Sequence, residues 1–310
     1  MIDSLIGKIK ATSNPTVVGL DPRLDFVPSH IKEEAYDLYG KTLEGASKAF
    51  LEFNKAIIDA TYDLIPAVKP QVAMYEQYGA VGMQAYIDTI AYAKAKGLVI
   101  IGDIKRSDIA STATSYSDGH IGRVEIEGEK LEVYKEDFVT LNPYLGYDSI
   151  EPYMDNCRLY DKGMFVLVKT SNPNSGEVQD ITVGENGERL YEYMGKLVAK
   201  WGDEVMGNEG YSRIGAVVGA THKEQGIRLR ALMPKTYFLV PGYGAQGATA
   251  SDLAGCFNKD GLGAIVNSSR GIIAAYTLKA YKDNFTEKEF AQAARQAVID
   301  MREDLTNCFR

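Results

Sequence analysis

Eight short apolar runs, most of them separated by longer helix-like segments, constrain this chain more than any other feature. They are Val17-Val18-Gly19-Leu20, Pro66-Ala67-Val68-Lys69-Pro70, Leu98–Asp103, Phe138-Val139-Thr140-Leu141, Gly163–Val168, Ile214–Val218, Thr236–Val240 and Gly263-Ala264-Ile265-Val266. Near-continuous apolar runs of this length mark strands buried on both faces, which requires helices on both sides of a parallel sheet. Eight such units predict an α/β chain folded as a (β/α)8 TIM barrel, with a doubly wound sheet as the alternative architecture. At 310 residues the chain is long for one domain. Barrels reach that size, so a single domain over residues 1–310 is expected.

Helices are expected from about Tyr39 to Leu64, from Gly82 to Lys96 with Gly97 closing the end, and from Asp108 to Tyr116. Two more are expected over Leu190–Val205 and Lys288–Asp304. The Pro- and charge-rich stretch after Asp21-Pro22 reads as a loop. Two segments look like insertions, near 119–137 and near 172–189. The second is polar and Gly-containing over Asn174–Arg189 and reads as a long loop, the kind that carries function.

Composition narrows the classes. With 34 Lys and Arg against 42 Asp and Glu, the net charge is −8 and there is no basic block, which argues against a nucleic-acid partner. The opening Met1-Ile2-Asp3-Ser4 has no secretory pattern and no run approaches a membrane span, so a cytoplasmic protein without a membrane partner is expected. Cys157, Cys256 and Cys308 show no paired spacing, and His30, His120 and His222 stand alone in the sequence. Neither a disulfide framework nor a metal site is expected. The N-x-S/T matches at Asn267 and Asn284 carry no weight without a secretory signal.

The third run ends in Asp103-Ile104-Lys105-Arg106-Ser107-Asp108. Alternation along a strand puts Asp103 and Lys105 on one face, and Asp108 can fold back through the turn. An ammonium enclosed between two carboxylates at the carboxyl end of a buried strand is costly without a task. The bland alternative is an Asp103–Lys105 ion pair with Ser107 or Asp108 capping the next helix. Other strands also end in polar groups: Asp21, Lys69, Ser171 and Arg270. In a barrel enzyme those ends carry the function.

Pro241-Gly242-Tyr243-Gly244-Ala245-Gln246-Gly247 matches the dinucleotide fingerprint but lies near the C-terminus, and the next strand ends in Asn267-Ser268-Ser269-Arg270 rather than an acid. Glycines that let backbone N–H groups approach, with an Arg from the neighbouring strand, fit a phosphate monoester better. The bland alternative is a set of turns with a surface Arg.

Together these pieces resemble the orotidine 5′-phosphate decarboxylase family, and more closely its longer bacterial subfamily (type 2). The resemblance runs from Val17 to about Ile272. It is strongest at Asp103–Thr112, which matches D-x-K-x-x-D-I-x-x-T, and is supported by Gly19-Leu20-Asp21, Val68-Lys69-Pro70, Thr170-Ser171-Asn172-Pro173, Pro241–Gly247 and Ser269-Arg270. It implies a cofactor-free carboxy-lyase of pyrimidine synthesis that converts orotidine 5′-phosphate to uridine 5′-phosphate and CO2. Lys105 would be the proton donor and Asp103 its neighbour near the departing carboxylate, with Lys69 and Asp108 completing an alternating charge array. Asp21 and Thr112 would hold the ribose, Ser171 the pyrimidine, and Gln246 and Arg270 the phosphate, within the Pro241–Gly247 loop and beside it. Asp108, Ile109 and Thr112 would reach the partner's site in a homodimer.

Three other readings stand beside this one. A metal-dependent sugar-phosphate decarboxylase of the same superfamily would hold Mg2+ on carboxylates. A Schiff-base aldolase would use Lys105 or Lys69. A silent nucleotide-phosphate sensor would need Gln246 and Arg270 but not the charge array.

Overall fold

The apolar runs become strands in the computed structural model, which describes residues 1–184, 187–220, 223–244 and 249–308. The strands are β1 (Thr16–Leu20), β2 (Ala67–Pro70), β3 (Val99–Arg106), β4 (Val124–Ile126), β5 (Glu129–Leu131), β6 (Phe138–Leu141), β7 (Gly163–Lys169), β8 (Thr182–Val183), β9 (Glu188–Arg189), β10 (Ile214–Val218), β11 (Phe238–Pro241) and β12 (Ala264–Ser268). Eight of them close a barrel in the order β1-β12-β11-β10-β7-β6-β3-β2. The other four form two antiparallel hairpins, β4 with β5 and β8 with β9. The (β/α)8 barrel expected from the alternation is the fold observed.

Helices alternate with the strands: α1 (Ile2–Thr12), α2 (Ser29–Tyr39), α3 (Leu43–Thr61), α4 (Ala73–Glu76), α5 (Gly79–Ala95), α6 (Ala110–His120), α7 (Glu151–Tyr160), α8 (Gly176–Gln179), α9 (Leu190–Gly202), α10 (Lys223–Leu232), α11 (Ala250–Leu253), α12 (Arg270–Ile273) and α13 (Phe290–Asn307). Every residue of β1, β2, β6, β10 and β12 is buried, as strands covered on both faces must be. Parallel pairing sets Phe138 opposite Gly163 and Gly215 opposite Phe165. A Cβ at either glycine would collide with the facing phenyl ring, so the missing side chains make room for the Phe138–Phe165 ring pair.

Two compact units are distinguishable by contacts, one of residues 8–104 and 268–304, the other of 1–7, 105–267 and 305–310. In the first, α3 buries Phe50, Phe53, Ile57 and Ile58, and Phe53 stacks on Phe290 of α13 with centroids 5.4 Å apart. Asn54 donates to Tyr75 Oη at 2.9 Å, and Tyr75 in turn donates to Leu20 O at 3.2 Å, at the end of β1. Burial pushes the Tyr75 phenol far above its ordinary value, which keeps it a donor.

In the second unit, the Arg230 guanidinium donates to the carbonyls of Cys256, Met233, Thr236 and Gly263 at 2.8–3.0 Å and lies 3.7 Å from the Phe238 ring centroid. The 119–137 segment is rooted by buried His120, whose Nδ1 is 2.8 Å from Glu136 Oε2, and by Tyr134 stacked on that imidazole.

Several boundaries differ from expectation. The stretch read as a loop after Asp21 contains α2, which buries only Ile31 and Ala35, too few apolar positions to announce a helix. The helix expected from Tyr39 is interrupted at Gly40, whose φ of +71° ends α2 before α3 starts at Leu43. The polar 174–189 stretch is not structureless either: it holds α8 and the β8–β9 hairpin, with Glu185 and Asn186 outside the described residues. Strand three runs on to Arg106, beyond its last apolar residue.

Candidate active site

Position 69 is the third residue of β2, where alternation turns its side chain away from those of Val68 and Pro70. Lys69 is 4 % exposed, and its Nζ lies 2.6 Å from Oδ2 of Asp103, which is 6 % exposed. Gln71, two residues further along the same face, donates its Nε2 to that oxygen at 2.9 Å. Burial pulls the Lys69 ammonium toward its neutral form. The carboxylates of Asp103 and Asp21 and the hydrogen bond to Asp103 overcome that pull, and its pKa stands above the ordinary lysine value. Desolvating such a pair offsets most or all of its attraction, so the pair points to a task more than to stability.

Lys105 departs from expectation. Its φ is +45°, in the left-handed region, so the strand alternation that predicts a face shared with Asp103 does not carry through to it. Asp103 is buried and Lys105 is exposed in the single chain; the enclosed ammonium is that of Lys69. The Lys105 N–H donates to Thr140 Oγ1 of β6 at 3.0 Å, and Asn142 N donates to Arg106 O at 3.0 Å. The tips of β3 and β6 thus impose a conformation that costs a non-glycine residue about 1–2 kcal/mol.

The remaining candidates lie at strand ends or helix starts. Asp108 accepts the Ile109 N–H at 2.8 Å, and Ile109 is the N-cap of α6 without a side-chain cap bond, so the helix-capping alternative for Asp108 is not seen. Ile109 is 59 % exposed and Thr112 is exposed. Ser171 follows β7 and is half-buried; Pro241 ends β11, and its carbonyl accepts the Ala220 N–H at 2.9 Å. Gly242 and Gly244 have φ of +107° and +69°, backbone that favours glycine. Arg270 starts α12 and is exposed. Gln246, the proposed phosphate ligand, lies outside the described residues, as do Ala245, Gly247 and His222.

Sequence reasoning missed Gln71, although its spacing from Lys69 on a strand was a usable signal. It also missed fully buried Lys169, paired with Asp180 at 2.9 Å, because nothing in a V-K-T run distinguishes a buried lysine from an exposed one. Among the described residues no three His, Cys, Asp or Glu side chains are grouped to hold a metal ion, and no helix is long and apolar enough to cross a membrane.

A closed parallel barrel with lysines, acids and glycines at the carboxyl ends of its strands defines the class, a (β/α)8-barrel chain built in the manner of barrel enzymes. Within that class, the chain belongs to the orotidine 5′-phosphate decarboxylase / HUMPS family, whose model matches residues 17–283. It is 45% identical over 305 residues to the orotidine 5′-phosphate decarboxylase of Petrotoga mobilis, covering 98% of each chain. To that of Clostridium kluyveri it is 42% identical, covering 98% of this chain and 97% of the other. The solved structure of Leishmania donovani OMP decarboxylase superposes with a TM-score of 0.74 at 29% identity, covering 99% of this chain and 98% of that one.

Proposed function

We propose that this chain decarboxylates orotidine 5′-phosphate to uridine 5′-phosphate and CO2, without a cofactor, in pyrimidine synthesis. The observation that carries the reading is the buried pair of Lys69 with Asp103, the first residue of the D-x-K-x-x-D segment, in a chain that matches decarboxylases along nearly its whole length.

The chemistry wants such residues. When the C6–carboxylate bond breaks, its electron pair stays on C6 in the ring plane and cannot delocalise into the π system. Fixed positive charge must meet it there. In this reading the Lys105 ammonium is that charge, and it transfers a proton from Nζ to C6 as CO2 leaves; solvent then returns a proton to the amine. Asp103 stands beside the departing carboxylate, held by Lys69, and Asp108 completes the array. Asp21 and Thr112 bind the ribose and Ser171 the ring. Pro241, Gln246 and Arg270 frame the phosphate, whose binding energy aligns the distant ring.

The working form in this reading is a cytoplasmic homodimer with shared sites. The exposure of Ile109 and Thr112 in the single chain supports it, because a second subunit would cover them. The test is the ultraviolet change when purified protein meets orotidine 5′-phosphate in EDTA. Formation of uridine 5′-phosphate at full rate is expected. Turnover of orotidine 5′-phosphate only with added Mg2+ would overturn the cofactor-free part of the reading, and no turnover under either condition would sink the decarboxylase reading itself.

A further inference from the structure

Ser171, set against the pyrimidine in the proposed reaction, is the first residue beyond Thr170, and Thr170 follows the last residue of β7. The backbone around it is gripped from two directions. Gln179 accepts the Thr170 N–H on Oε1 at 2.9 Å and donates Nε2 to Thr170 Oγ1 at 2.8 Å, a two-point clamp by one amide. Thr170 Oγ1 then donates to Asn172 Oδ1 at 2.6 Å, on the far side of Ser171. From the other direction Gly219 donates its N–H to Lys169 O at 2.7 Å. A Cβ on Gly219 would stand 2.8 Å from Ser171 Cα and N, so only glycine allows this approach.

The clamp is itself anchored. Gln179 ends the four-residue helix α8, far too short to persist alone. Its neighbour Asp180 receives Lys169 Nζ at 2.9 Å and Gln225 Nε2 of α10 at 3.0 Å, and its carbonyl accepts from Arg189 at 2.6 Å. Lys169 is 0% exposed at its side chain, so the lysine end of this ion pair is enclosed while the Asp180 end is half-buried. Among the described residues of the 172–189 insertion, Gln179 and Asp180 therefore converge on Lys169 and Thr170, the two residues that lead into Ser171. Small displacements of a positioning group cost large factors in rate, which gives such a clamp a use.

We propose that Gln179 is a positioning residue of the decarboxylation, fixing Ser171 through Thr170, and that the 172–189 insertion exists in part to carry it. The proposal rests on the assignment of Ser171 to the pyrimidine. The test is a double-mutant cycle on the full chain, with Gln179→Ala, Ser171→Ala and both together. Gln179→Ala should lower kcat/KM for orotidine 5′-phosphate about tenfold in the parent and less than about twofold in the Ser171→Ala background, because the second change then has nothing left to misplace. Gln179→Glu, which keeps the acceptor for the Thr170 N–H, should recover part of the loss.

Equal losses in both backgrounds, with Ser171→Ala itself costing activity, would make Gln179 a merely structural residue and overturn the proposal alone. If Ser171→Ala leaves kcat/KM unchanged, the assignment of Ser171 falls and the proposal with it. Should Gln179→Ala fail to fold, Thr170→Val, which removes the clamped hydroxyl at nearly constant volume, takes its place in the cycle: a loss that shrinks in the Ser171→Ala background supports the positioning role, and an equal loss overturns it.

Discussion

Lys69 Nζ and Asp103 Oδ2 stand 2.6 Å apart with both side chains almost wholly enclosed, and the amide of Gln71 shares the same oxygen. Removing one charge from such a pair leaves the other desolvated. Lys69→Met should therefore destabilise the fold by about 3–5 kcal/mol, read from denaturant unfolding. Lys69→Met with Asp103→Leu should recover most of that loss, since an apolar pair of similar volume carries no desolvation cost. Turnover should stay lost in both. Equal stability of the single and double variants would contradict an enclosed pair.

Lys105 is held at φ +45° by neighbours that bond its own N–H and the carbonyl of Arg106. Glycine tolerates that geometry and alanine does not. Lys105→Gly should be more stable than Lys105→Ala by about 0.5–1 kcal/mol, the left-handed penalty less the extra freedom glycine loses on folding. The usual order of the two residues would thus be reversed. Neither variant should turn over substrate. If alanine proves the more stable, the left-handed backbone is not enforced.

The barrel is legible in the sequence because its strands are buried on both faces, and burial leaves an apolar signature that needs no partner to be read. The apolar runs Phe138–Leu141 and Ile214–Val218 coincide with the observed strands to the residue. What escapes is order that comes from polar contacts. Helix α8 and the β8–β9 hairpin hang on Gln179, Asp180 and Arg189, whose letters look like solvent-facing loop. The site splits in the same way. Asp103 and Lys69 can be named from strand position, but no spacing rule encodes that Lys105 stands exposed at a positive φ while Lys69 is enclosed.

Acid should also weaken a contact far from the proposed chemistry. Arg295 of α13 grips Asp63 with two bonds of 2.6 and 2.8 Å, and these hold the Asp63 carboxyl below the usual aspartate range against a smaller opposing effect of burial. A lowered folded pKa means the unfolded chain takes up the proton first as pH falls. The stabilisation is complete above about pH 4 and disappears as pH drops through the lowered value. Both side chains are substantially exposed, which limits the effect to about 1 kcal/mol. Asp63→Asn should be less stable than the parent in urea at about pH 7 and equal to it at about pH 2. A difference that persists in acid would assign the effect to packing.

Arg270 begins α12 with its side chain exposed, after a strand that is buried throughout. If it meets the phosphate, Arg270→Ala should cost far more with orotidine 5′-phosphate than with the phosphate-free nucleoside, where the lost contact was never made. Inorganic phosphite added with the nucleoside should raise the parent's rate and leave the variant's unchanged. Equal proportional losses on both substrates would remove the phosphate role.

Shared sites should reveal themselves in mixed dimers. Ile109, 59 % exposed, caps α6 without a side-chain bond, and Asp108 directs Oδ1 at the Ile109 N–H, so this corner of the chain buries little of its own. If Asp108 completes the partner's charge array, Lys105→Ala and Asp108→Asn homodimers should each be inactive. Co-refolded, half the dimers would be mixed, and each mixed dimer would carry both lesions in one site and none in the other. Activity should then return to about a quarter of the parent value. Proven mixed dimers with no recovery would mean that each chain builds its site alone.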